Sequence, residues 1–184
     1  NLINLEKETL IYLSGLSNKD GQPTVCGIML FGKYPQYLSP NLDIVAVVCA
    51  TEKYAEENSA GERFIVNKRL DGTISQMLET ALAFVQQNMA TSTVIDEHGQ
   101  RKDVSEYPVK ALREIILNAL IHRDYSIHTE NDPIRIEMYP NRIEISNPGG
   151  LYGRLTIDEL GKTKADVRNP FIAAALEILN HTEN

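Results

Sequence analysis

The sequence predicts an α/β (α+β) protein, and three stretches carry that prediction. From Thr73 to Asn88 the apolar residues Ile74, Met77, Leu78, Ala81, Leu82 and Val85 recur at helical spacing. Asp43 to Ala50 is an apolar run of strand length. Pro133 to Ser146 alternates Ile134, Ile136 and Met138 with Arg135, Glu137 and Tyr139, turns at Pro140-Asn141, and alternates again at Ile143 and Ile145. That is the pattern of an antiparallel hairpin with one buried and one wet face.

The remaining elements follow in order. Leu2, Leu5, Leu10, Leu13 and Leu16 are spaced for a short helix, and Lys19-Asp20-Gly21-Gln22-Pro23 signals a turn. Val25 to Phe31 reads as a buried strand ending at Gly32, and Pro35 and Pro40 enforce a loop after it. Arg63 to Arg69 alternates loosely, with Phe64 and Val66 on one face, as a further strand broken by Leu70-Asp71-Gly72. The Met and aromatic residues of the 73–88 helix read as core. Thr91 to Val104 is polar and suits a hairpin or a linker. The boundary between an α/β module at 1–103 and a second half at 104–184 is placed there.

Tyr107-Pro108 opens a second long helix, since Pro is tolerated in a first turn. Its apolar stripe is Leu112, Ile115, Ile116, Ala119 and Leu120, with Leu117 and Ile121 adding surface on another side. Glu114, Asn118 and His122 lie roughly opposite, a polar line that needs a cleft. Asn147-Pro148-Gly149-Gly150 ends the hairpin sharply. Asn169 then caps the last helix, with Pro170 at its first position.

Composition narrows the function. The 184 residues are 42% hydrophobic, with no apolar run long enough to span a membrane. A formal net charge of −7 argues against a broad nucleic-acid surface, leaving Lys162, Lys164 and Arg168 as a local basic cluster. Cys26 and Cys49 sit in apolar runs as buried thiols, which points to the cytoplasm. The chain lacks an initial Met and stops after a helical pattern, as an excised piece of a longer protein would.

The chemistry concentrates on one helix. Glu114 and Asn118 at i and i+4 stack on one face about 6 Å apart. A carboxylate that takes a proton from water, beside an amide oxygen able to bind Mg²⁺, would begin a nucleotide site. The same spacing suits a solvated polar edge. His122 would lie near phosphates or bond backbone at the helix end, and Arg123-Asp124 would form an internal salt bridge. His98 and His128 lack metal-ligand spacing. His122-Arg123-Asp124 is not a kinase catalytic loop, because Thr129 stands where its Asn is required.

A helix carrying Glu-x-x-x-Asn-Ala, followed by a hairpin ending in a Gly-containing turn, resembles the gyrase/histidine-kinase/Hsp90/MutL type of ATPase (GHKL-like). More closely, His122-Arg123-Asp124-Tyr125, Asn147-Pro148-Gly149-Gly150-Leu151, Arg168-Asn169-Pro170, Thr24 to Lys33 and Leu70-Asp71-Gly72 resemble a bacterial family of RecG-related ATP-dependent DNA helicases and transcriptional regulators. In that family a Schlafen/AlbA-like domain precedes this region and a helix-turn-helix follows. The resemblance implies a two-layer sandwich for 104–184, with helices on one face of a largely antiparallel sheet. It also implies ATP and Mg²⁺ as ligands, Glu114 activating water and Asn118 ligating Mg²⁺. Asn147, Gly149, Gly150, His122 and Arg168 are the other candidate nucleotide contacts. Asn147 replaces the usual Asp that accepts from adenine, and Leu151 replaces a second Gly. No Gly-rich lid and no P-loop occur in the 184 residues, so helicase activity is not expected. The function implied is a regulatory segment that senses nucleotide or dimerises, with DNA bound by domains outside it. The alternatives are a Mg-dependent ATPase, at most a weak one, and a structural interaction module that has lost its nucleotide.

Overall fold

A computed structural model describes residues 5–95, 97, 99–159, 162 and 166–179. His98 and Lys164 lie outside the described residues. The element order is α1 (Lys7–Leu13), α2 (Val25–Phe31), α3 (Pro35–Leu38), β1 (Ile44–Cys49), β2 (Phe64–Leu70), α4 (Ile74–Asn88), β3 (Thr91–Ile95), β4 (Arg101–Ser105), α5 (Val109–His122), β5 (Ile134–Tyr139), β6 (Arg142–Ser146) and α6 (Pro170–Ile178). The main sheet runs β2-β1-β5-β6, antiparallel except for the parallel β1–β5 pair. Mixed α and β elements with a largely antiparallel sheet are what the sequence predicts.

Alternation decides what each strand buries. Ile44 and Ala46 on β1, and Ile134, Ile136 and Met138 on β5, face one way and are buried beneath α4 and α5. The 73–88 helix forms as expected. Thr73 and Gln76 make a reciprocal capping box at its start, and Ile74, Met77, Leu78, Ala81, Leu82, Phe84 and Val85 are all buried. Among the described residues the opposite sheet face carries a small cluster of Val47, Cys49 and Tyr139, with Arg142 stacked 3.9 Å from the Tyr139 ring centroid. Both cysteines are free thiols, Cys49 buried and Cys26 half-buried.

Three local expectations change. Val25 to Phe31 is helix α2, not a strand: a wholly apolar run carries no period, and the Thr24 hydroxyl caps the Gly27 amide at 3.1 Å. A Cβ on Gly27 would collide with the Leu16 carbonyl, so glycine sets how closely α2 approaches that loop. Ile115 is 50% exposed and falls in the same arc of α5 as Glu114, Asn118 and His122, while Leu117 and Ile121 join the buried side. Pro108 occupies the position just before α5 rather than its first turn. β3 and β4 pair as an antiparallel hairpin, exposed along nearly all of both strands and separate from the main sheet. The boundary expected at 103/104 falls inside β4, and residues from both sides of it share one sheet and one core.

Candidate functional site

At the end of α5 the turn after β6 and the segment entering α6 converge, and polar bonds make the joins. The Asp124 amide donates to the Pro148 carbonyl at 2.9 Å. Asn169 Nδ2 donates to the Ile121 and Arg123 carbonyls at 2.7 and 2.8 Å, satisfying acceptors that a helix C-terminus leaves open. Asn169 does stand before α6, but it makes no capping bond there; its side chain is committed to α5. Arg168 fixes the turn. Its Nη1 lies 3.0 Å from Asp124 Oδ2, its Nη2 donates to the Gly150 carbonyl at 2.6 Å, and its guanidinium sits 4.9 Å from the Tyr152 ring centroid. Gly149 has φ +102°, and a Cβ there would come 2.7 Å from Asp124 Cβ, so the turn closes this tightly only with glycine.

The Arg123–Asp124 salt bridge is not made. Arg123 is 1% exposed and clamps carbonyls instead: Nη2 donates to Asp132 at 2.6 Å, Asn41 at 3.2 Å and Thr129 at 3.4 Å, and Nη1 to the Asp124 carbonyl at 3.2 Å. The Asp124 carboxylate turns the other way, to Arg168 and to the Ser126 amide at 2.9 Å. Successive side chains leaving a helix end diverge, and each finds its own partner.

The convergence lines an open cleft of about 450 Å³, a size usual for a small-molecule site. Asn118 and His122 from α5, Asn147, Gly149 and Gly150 from the turn, and Arg168 before α6 all line it. These are the six nucleotide-contact candidates of the sequence. Glu114 is not among the lining residues; it is exposed and accepts from Asn118 Nδ2 at 3.0 Å. Leu151, Tyr152, Leu155 and Asp166 complete the wall and were not nominated by the sequence. The apolar pair directly after Gly149-Gly150 was a readable signal for two of them. Nothing local announced Asp166, whose partner Arg154 directly follows Gly153 at φ +69°.

Electrostatically the wall is balanced. Arg168 is matched by Asp124, and Asp166 by Arg154. The Ser126 amide and hydroxyl, with a smaller share from Arg168, hold the Asp124 carboxyl below its ordinary range. Burial, and then the Arg168 charge, push the His122 imidazole below its usual value, so it stands neutral at pH 7. Magnesium favours an octahedral oxygen set that normally includes carboxylates. Here the wall offers the carboxamide oxygens of Asn118 and Asn147 and one carboxylate, Asp166, already paired with Arg154, and no cluster of three or more potential metal-ligating His, Cys, Asp or Glu residues occurs among the described residues. The described residues therefore do not fit a magnesium-bound triphosphate.

Residues 131–184 match the family model described as "Putative ATP-dependent DNA helicase recG C-terminal". This region, from just before β5 onward, is similar to a RecG-related ATPase-like domain. Asn147, Gly149, Gly150 and Arg168 fall inside the match, whereas Asn118 and His122 precede it. No curated protein and no solved structure matches the chain. Among the described residues no helix is long and apolar enough to cross a membrane.

Proposed function

We propose that the cavity at the end of α5 binds a nucleotide-type ligand without turning it over, and that the chain is the sensing segment of a cytoplasmic DNA-binding regulator. One observation carries the reading: six residues nominated from three separate stretches line a single cavity. The RecG-related match over 131–184 supports it, since that region supplies four of the six. DNA contact belongs to domains outside these residues, in the order of a Schlafen/AlbA-like domain before and a helix-turn-helix after, and a homodimer is part of the proposal. The ATPase reading is weakened because Glu114, its candidate water activator, stands outside the wall. A structural module without ligand is favoured by Asn147 and Leu151 where an ATPase carries Asp and Gly.

Calorimetric titration with a non-hydrolysable ATP analogue separates these readings. Binding that weakens about tenfold or more in Asn118→Ala is expected, a change of about 1.4 kcal/mol. No heat in either protein, together with no shift of thermal midpoint, would leave only the structural module.

A further inference from the structure

The lining offers hydrogen bonds but little charge. Arg168 is only 14% exposed at its side chain, and both its terminal nitrogens are engaged, by Asp124 and by the Gly150 carbonyl. Asp166 is held by Arg154 through Oδ1 and Oδ2. Against this, His122 and Asn147 are half-buried in the wall, and neither side chain makes a hydrogen bond to another described residue. Asn118 spends one N–H on Glu114 and keeps its Oδ1. Partly buried polar groups lacking protein partners are expected to meet water or ligand. Together they present two carboxamides and an imidazole, each neutral and each able to donate or accept. Leu151 and Leu155 supply apolar surface beside them. A triphosphate entering this wall would meet the Asp166 carboxylate and a cation already paired with Asp124. An uncharged heteroaromatic would meet complementary donors and acceptors.

We infer that the cavity takes the uncharged nucleoside end of its ligand, base and ribose, and leaves any phosphates in solvent without a metal ion. The inference rests on the nucleotide-type reading above and specifies which part of the ligand is held. Asn147 where related ATPases have Asp is consistent with it, because a carboxamide pairs with a base edge as both donor and acceptor. The Arg168–Asp124 pair then serves to hold the Gly149–Gly150 turn in place and does not meet phosphate.

The test is calorimetric titration of the same protein with adenosine, AMP and a non-hydrolysable ATP analogue, each with Mg²⁺ and with EDTA, at low and high salt. Adenosine is expected to bind within about threefold of the nucleotides, with no dependence on Mg²⁺ and a flat salt response. Asn147→Ala and His122→Ala are expected to weaken all three ligands by a similar factor, with thermal melts confirming that the variants fold. Affinity that climbs with each added phosphate, or that requires Mg²⁺, would overturn the inference and leave nucleotide binding standing. Failure of adenosine and of both nucleotides would overturn both.

Discussion

Two buried or half-buried cations at the end of α5 behave differently, and the difference lies in their partners. Arg123 donates to carbonyls and orders the loop after α5, whereas Arg168 answers a carboxylate and pins the turn after β6. His122 sits beside the second of them, which has a consequence for stability against pH. Its folded pKa lies below that of a free imidazole, about 6.5, so on acidification the unfolded chain takes up the proton first. The stability that His122 allows is complete above about 6.5 and declines as pH falls through the window down to its depressed folded value. The urea midpoint should therefore drop less between pH 7.5 and 5.5 in His122→Gln than in the native protein; equal drops would assign the acid sensitivity elsewhere. His122 and the other five candidate contacts came from the family resemblance of their motifs, and all six line one cavity. The wall's charge balance was not legible, because Arg168–Asp124 and Arg154–Asp166 join residues with no periodic relation in the sequence.

The elements show where pattern suffices and where it fails. Helix α4 and the β5–β6 hairpin were readable because alternation and helical period differ when apolar and polar residues are mixed. Helix α2 was misread because VCGIMLF is apolar throughout, leaving the Thr24 cap as the only local sign of a helix. Short α3 is held by something no pattern announces. Gln36 Nε2 donates to the Leu42 and Gly72 carbonyls at 2.7 and 2.9 Å, while its Oε1 accepts from the Gly72 amide at 2.8 Å. One side chain thus ties the chain entering β1 to the turn between β2 and α4. Gln36→Ala removes both roles and strands Gly72 half-buried, so a loss of about 1–3 kcal/mol is expected in urea denaturation. A loss below about 0.5 kcal/mol would mean that water replaces the amide freely.

At the scale of the whole molecule, β1 is the strand that makes the sheet continuous. It pairs with β2 on one side and with β5 on the other, and the side chains of both halves meet in the core beneath α4 and α5. A fragment ending at residue 103 would leave Ile44, Ala46 and the buried face of α4 without β5 and α5. We expect such a fragment to show no cooperative thermal transition by circular dichroism, and the full chain to show a single one. A fragment that melts sharply near the native midpoint would favour two independent modules. The parallel pair also sets a timetable for synthesis. Ile44 meets Ile134 only after some ninety further residues have left the ribosome, several seconds at roughly 5–20 residues per second. Through that interval the run IVAVVC has one neighbour and one open edge, the kind of apolar edge that recruits other chains. The newborn protein is therefore most exposed to self-association at its most apolar strand, and a holding chaperone acting early on residues 44–49 would matter more to its yield than any factor acting on the finished fold.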